Sequence, residues 1–96
     1  MSAAAVLLSD ADNVATLLAP AKAGDDVVID ARTDEIRVRA LEPIALGHKI
    51  ALVDLAPGDR IVKYGECIGQ ATKAIARGAW VHVHNLRSVR AQAPAS

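Results

Sequence analysis

Phenylalanine is absent from this chain, and Trp80 and Tyr64 are its only aromatic residues apart from histidine. A core built on stacked rings is therefore excluded. The hydrophobic fraction of 52% is swollen by 20 alanines among 96 residues. Burial then falls to Val, Ile and Leu, at roughly 1.5–3 kcal/mol for each large aliphatic side chain fully removed from water. So modest a core, in a chain long enough for one domain only, invites cover from a partner chain or from a second copy of itself. Excess charge of either sign is also missing, with 11 Lys and Arg against 11 Asp and Glu. No net field draws the chain to nucleic acid or to an anionic membrane, and neither is expected as a partner. A single cysteine, Cys67, excludes an internal disulfide. No apolar run is long enough to span a bilayer, and the first residues, MSAAAVLLSDAD, lack the basic and apolar regions of a signal peptide. Cytoplasm is the expected compartment. No heptad, solenoid period or low-complexity array is present.

What is present is a series of short apolar runs cut by turn formers. Residues 3–8 read as a strand and residues 9–13, Ser-Asp-Ala-Asp-Asn, as a turn. Residues 14–18 read as a second strand, with a helix over 14–19 as the rival, since Ala and Leu suit a helix and Pro20 would end either. Val27-Val28-Ile29 is β-branched, and Ile36-Arg37-Val38-Arg39 alternates apolar with charged, so a hairpin joined by a polar turn is expected. In Ala56-Pro57-Gly58-Asp59, Pro and Gly occupy the two central positions of a type II turn. Residues 70–77 are the best candidate for a short helix or helical turn, ended by Gly78. Residues 80–84 again alternate. The tail, RSVRAQAPAS, has no periodicity and is expected to be mobile.

Residues 47–85 hold all three histidines, the Trp, the Tyr, the Cys and five of the six glycines. Function is sought there. His82 and His84, two apart on a strand, would share a face with Trp80, close enough to hold one metal ion or one substrate. Plain alternation with Val81 and Val83 explains the same pattern. No second pair has zinc-like spacing, so any metal needs ligands from another chain. His48 beside Lys49 sets a titratable group next to a fixed positive charge, suited to binding a carboxylate and moving a proton, or it is a solvated strand start. Lys63-Tyr64-Gly65 admits the same two readings. Cys67, beside Ile68, reads as a small buried hydrophobe rather than a nucleophile. Gly65 and Gly69 do not make a phosphate loop, because no Gly-Lys-Ser/Thr ending follows.

Asp12-Asn13-Val14, Gly47-His48-Lys49-Ile50-Ala51-Leu52, Gly58-Asp59, Val62-Lys63-Tyr64-Gly65, Ile68-Gly69, Ala71-Thr72, Ile75, Gly78 and Val81-His82-Val83-His84-Asn85-Leu86 stand in that order. Together they resemble the small amino-terminal SAF domain of the altronate/galactarate dehydratase family. Two departures, Val14-Ala15-Thr16-Leu17-Leu18 where relatives often alternate as VAVAL, and Leu46 before Gly47, leave the substrate open. The resemblance implies a mainly β, SAF-type β-clip over residues 1–86, with short strands, a bent hairpin and one short helical turn, then a flexible tail over 87–96. It further implies a separate small subunit of a lyase, completing the site of a large catalytic subunit that eliminates water from an aldonate or aldarate. His48, His82 and His84 would be catalytic, with His82 and His84 also candidate metal ligands. Lys49, Lys63, Tyr64 and Asn85 would bind the sugar acid. Fe2+ or Mn2+, held mainly by the partner, would stabilise the enediolate. The small subunit of sulfolactate sulfo-lyase and a non-catalytic carbohydrate-binding SAF module are the alternatives.

Overall fold

The computed structural model describes residues 2–30 and 35–88, and among them are nine strands and no helix. The mainly β expectation is met. Six strands form one sheet in the order β4-β3-β1-β2-β5-β8: Glu35–Arg39, Asp26–Asp30, Ser2–Val6, Val14–Leu17, Lys49–Ala51 and Trp80–Val81. Three more, β6 (Arg60–Lys63), β7 (Glu66–Ala71) and β9 (Leu86–Ser88), form a second sheet in the order β6-β7-β9. β1 and β3 run parallel, and every other pair is antiparallel. The hairpin expected from residues 27–29 and 36–39 is β3–β4, and its connection at 31–34 lies outside the described residues.

Alternation along each strand divides the side chains between two apolar clusters. Ala5, Ala15, Leu17, Val27, Ile29, Val38, Ile44 and Ile50 fill the first. Val14, Ala51 and Val81 from the large sheet meet Ile61 and Ala71 from the small one in the second, closed by Leu55 and Ile75. Leu17, Ile29, Ile44, Ile50 and Ile61 are almost wholly buried, so the aliphatic core inferred from composition is the one that forms.

One hydrogen-bonded corner recurs four times. At Gly24, Gly47, Gly58 and Gly78 the backbone takes φ between 83° and 92°. The following residue's N–H (Asp25, His48, Asp59, Ala79) reaches back to the carbonyl three residues before it, at 2.9–3.0 Å. Each glycine N–H donates to the carbonyl of a residue in a strand or, for Ala40, just past one, and that same residue donates to the residue after the glycine: Ala40, Leu17, Ala71 and Ala51 serve in turn. The isolated bridges Ala21 to Ile44 and Leu55 to Ile75 tie the corners in pairs. The type II turn expected at residues 56–59 is one of the four. The unequal spacing of the glycines hides the other three from a search for a fixed period.

Two expectations need correction. Residues 70–77 do not form a helical turn: Gln70 and Ala71 end β7, Ile75 bridges to Leu55, and Gly78 turns a corner. The helix preference of its alanines is a weak term that pairing with neighbouring segments overrides. Arg87 and Ser88, read as tail, belong to β9. The remaining tail residues, 89–96, lie outside the described residues.

Candidate functional site

The histidines converge, but not on one strand face. β8 ends at Val81, and residues 82–85 form a turn. Asn85 builds that turn: its side-chain oxygen accepts the His82 N–H at 2.9 Å, and its Nδ2 donates to the Trp80 carbonyl at 2.8 Å. Expected to bind substrate, Asn85 is buried and its amide is committed to the backbone. The turn places both histidines on Trp80. The His82 ring stacks on the indole with centroids 5.4 Å apart and 13° between planes, and the His84 ring tilts against it at 4.7 Å.

His48 enters from the corner at Gly47. Its ring lies 4.7 Å from that of His82, and its Nδ1 accepts a 3.0 Å hydrogen bond from the indole Nε1 of Trp80. Trp80 thus touches all three histidines, and its own backbone N–H donates to Glu42 Oε2 at 3.1 Å. The proximity of Trp80 was legible from its spacing to His82, whereas nothing in the sequence pointed to Glu42.

Lys49, the first residue of β5, follows His48 directly. Thr16 and Val81 stand opposite it on the neighbouring strands. Thr16 Oγ1 is buried and makes no hydrogen bond among the described residues. Partial burial, then the charge of Lys63, lowers the Lys49 pKa. Lys63 Nζ lies 5.1 Å from the centre of the Tyr64 ring. Desolvation, then electrostatic interaction with His48, Lys49 and His84, lowers the pKa of His82. Lys49 is therefore within electrostatic reach of both Lys63 and His82, and His82 within reach of His48 and His84.

The sign of the His82 shift fixes a pH dependence. His82 takes up its proton less readily folded than unfolded, so its contribution to stability is complete above about pH 6.5 and is lost as pH falls through the depressed value. The thermal midpoint of the wild-type chain should drop more between about pH 7.5 and 5.5 than that of His82→Gln. Parallel curves would remove His82 from the balance.

Tyr64 sits at the tip of the β6–β7 hairpin, 63% exposed, in the left-handed region at φ 60° beside Gly65 at φ 71°. A bulky residue there is uncommon and needs support. Asp12 supplies it: its buried carboxylate accepts the N–H groups of Tyr64 and Gly65 at 3.1 and 2.8 Å. Asn13 binds β6 beside it, accepting from the Val62 N–H at 2.8 Å and donating to the Arg60 carbonyl at 2.9 Å. Sequence reading made Asp12-Asn13 a local turn and missed this reach across some 50 residues. Cys67, half-buried, directs its thiol to the Gly69 carbonyl at 3.3 Å.

Among the described residues no group of three or more His, Cys, Asp or Glu is placed to hold a metal ion. The donor set does not fit a metal held by this chain's described residues alone. Among the described residues there is no helix long and apolar enough to cross a membrane.

Comparison with known proteins adds the following. A family model described as the altronate/galactarate dehydratase SAF domain matches residues 3–89. Altronate dehydratase of Escherichia coli (strain K12) is 44% identical over 77 residues, which make up 80% of this chain and 15% of that enzyme. The (2R)-sulfolactate sulfo-lyase subunit alpha of Paracoccus pantotrophus is 36% identical over 63 residues, 66% of this chain and 94% of that subunit. Its counterpart from Chromohalobacter salexigens is 39% identical over 59 residues, 62% of this chain and 61% of that subunit. The chain therefore spans a small part of the dehydratase and most of the Paracoccus subunit.

Proposed function

Because this chain belongs to the altronate/galactarate dehydratase SAF-domain family, we propose that it is the small subunit of a sugar-acid hydro-lyase, completing the site of a large catalytic subunit. The observation that carries this reading is the gathering of His48, His82 and His84 around Trp80 within reach of the charge of Lys49.

The reaction is the elimination of water from an aldonate or aldarate. A base takes the proton beside the carboxylate, the neighbouring C–O bond breaks as its oxygen takes up a proton from a general acid and leaves as water, and the resulting enol tautomerises to a 2-keto-3-deoxy acid. Removing a proton next to an ionised carboxylate builds a second negative charge, and preorganised cationic and hydrogen-bonding groups lower that barrier. On this reading the carboxylate binds within the positive neighbourhood of Lys49 and Lys63, and Tyr64 offers a phenolic hydroxyl at its exposed edge. His82, kept neutral by its surroundings, is suited to accepting a proton near neutral pH. Fe2+ or Mn2+ belongs to the large subunit, and the compartment is the cytoplasm.

Co-expression with a large catalytic dehydratase subunit tests the reading. Keto-acid formation from altronate should require this chain, and His48→Ala and His82→Ala should each lower it about 10²- to 10³-fold. Both variants retaining full activity would sink the assignment. Alignment with nearly the whole sulfo-lyase alpha subunit favours a second reading, in which sulfite leaves in place of hydroxide. Sulfite release from sulfolactate by the same complex would select it. Tight binding of a sugar acid by this chain alone would instead mark a non-catalytic SAF module.

A further inference from the structure

We propose that Trp80 is a positioning residue: its indole N–H holds His48 in the tautomer protonated on Nε2, so that His48 serves as a hydrogen-bond donor to an anionic ligand. The inference deepens the lyase reading and rests on it for the ligand, but the tautomer itself follows from donor chemistry. An indole nitrogen can only donate, and a neutral imidazole has one nitrogen of each kind. With Trp80 Nε1 at 3.0 Å, His48 Nδ1 must present its lone pair. A proton on Nδ1 would point at the indole N–H. The neutral ring therefore carries its proton on Nε2, which makes no hydrogen bond among the described residues.

The contact is held from both sides. On the His48 side, its N–H donates to the Ala45 carbonyl at 3.0 Å and its carbonyl accepts from the Leu17 N–H at 2.9 Å, so the corner at Gly47 fixes the main chain. On the Trp80 side, Glu42 accepts the backbone N–H, Asn85 donates to the backbone carbonyl, and Ile50 stands opposite in the β5–β8 register. The indole plane is then set by the stacked His82 ring. These bonds fix the two backbones from which the imidazole and the indole project.

The consequence is a division of labour between two neighbouring imidazoles. Nε2 of His48 already bears a proton and cannot take one from substrate. It can donate to a carboxylate, or to the oxygen on which charge grows as the enediolate forms. His82, stacked on the same indole with its ring 4.7 Å from that of His48, is the neighbouring imidazole that can accept the proton.

Two-bond proton–nitrogen correlations of the full 15N-labelled chain identify the tautomer of each ring. At about pH 8.5, two units above an ordinary imidazole pKa, His48 should show its proton on Nε2. Trp80→Phe keeps an aromatic ring beside His82 and removes the donor. In that variant His48 should shift to a mixture of tautomers while the amide signals of Ile50 and Val81 stay in place. In the complex with the large subunit, Trp80→Phe should lower kcat more than tenfold, with KM changed less than twofold. A wild-type His48 protonated on Nδ1, or a Trp80→Phe variant that keeps the pure Nε2 form, would overturn the proposal without the complex. The Nε2 form present in the wild type and lost in Trp80→Phe, combined with full activity of His48→Ala in the complex, would uphold the positioning contact and sink the lyase role of His48 instead.

Discussion

Gly78→Ala should cost at least about 3 kcal/mol, a large share of the roughly 5–15 kcal/mol that holds a domain folded. Two separate effects add. The φ of 92° lies in the region where a side chain costs about 1–2 kcal/mol. A Cβ built on Gly78 would also run into the Arg39 carbonyl oxygen and come within 3.2 Å of Leu41 Cγ. Backbone cannot give way as the end of a lysine can. Gly78 is pinned by its N–H to the Ala51 carbonyl at 2.9 Å and by its carbonyl to the Leu41 N–H at 3.0 Å, and Arg39 pairs with Asp26 across β3–β4. The fold contains its own control. Gly24 and Gly47 turn equivalent corners at φ 88° and 83°, but a Cβ there meets nothing within 4 Å. Alanine at either should show only the conformational cost of about 1–2 kcal/mol. Urea unfolding of the three variants separates the effects, and a Gly78→Ala midpoint equal to that of Gly24→Ala would refute the steric argument.

Asp12→Ala should destabilise the chain by about 2–4 kcal/mol, with its effect concentrated on the β6–β7 hairpin. The substitution leaves two part-buried N–H groups without their acceptor, and hydrogen bonds to a charged group are worth about 1.5–3 kcal/mol each before water recovers part of the loss. It also releases Tyr64, whose left-handed conformation costs on the order of 1 kcal/mol and persists while its neighbours enforce it. Amide exchange at Tyr64 and Gly65 should accelerate well beyond the global change, while exchange in β3 and β4 follows global stability alone. Asp12→Asn keeps one acceptor oxygen and should fall between. Uniform loss of protection across both sheets would show that Asp12 acts on the whole fold and not on Tyr64.

Much of this architecture was legible because the residues concerned carry local signals. β-branched Val27, Val28 and Ile29 and the alternation at Ile36 to Arg39 state their pairing openly, and Pro57-Gly58 fixes one corner. Reactive residue types crowded into positions 47–85 marked the region in which His48, His82 and His84 do meet. What stayed hidden depends on partners far along the chain. Asp12 looks like a turn residue because its own neighbours permit one, and only the folded chain brings Tyr64 to it. Residues 70–77 look helical because alanine suits a helix, and the bridge from Ile75 to Leu55 decides otherwise. His82 and His84 look like strand neighbours until the amide of Asn85 folds their segment into a turn. Position in a sequence reports period; it does not report which distant acceptor will claim a donor.

The four corners differ in one respect that bears on where chemistry can be housed. At Gly24 and Gly58 the next residue is aspartate, and its carboxylate accepts the N–H of the corner's first residue, Lys22 or Ala56, at 2.9 and 2.8 Å. The corresponding residues after Gly47 and Gly78 are His48 and Ala79, which make no such bond. Those are the two corners that lead into the site, His48 directly and Trp80 one residue beyond Ala79. At Gly47 the main chain carries the corner, and at Gly78 the supporting carboxylate comes from outside it, Asp54 accepting the Arg77 N–H at 2.8 Å, so in both the residue after the glycine is spared that duty. In that sense the molecule gives up a self-sealing turn at the places where it keeps a reactive surface, exchanging a little stability for an imidazole and the indole that aims it.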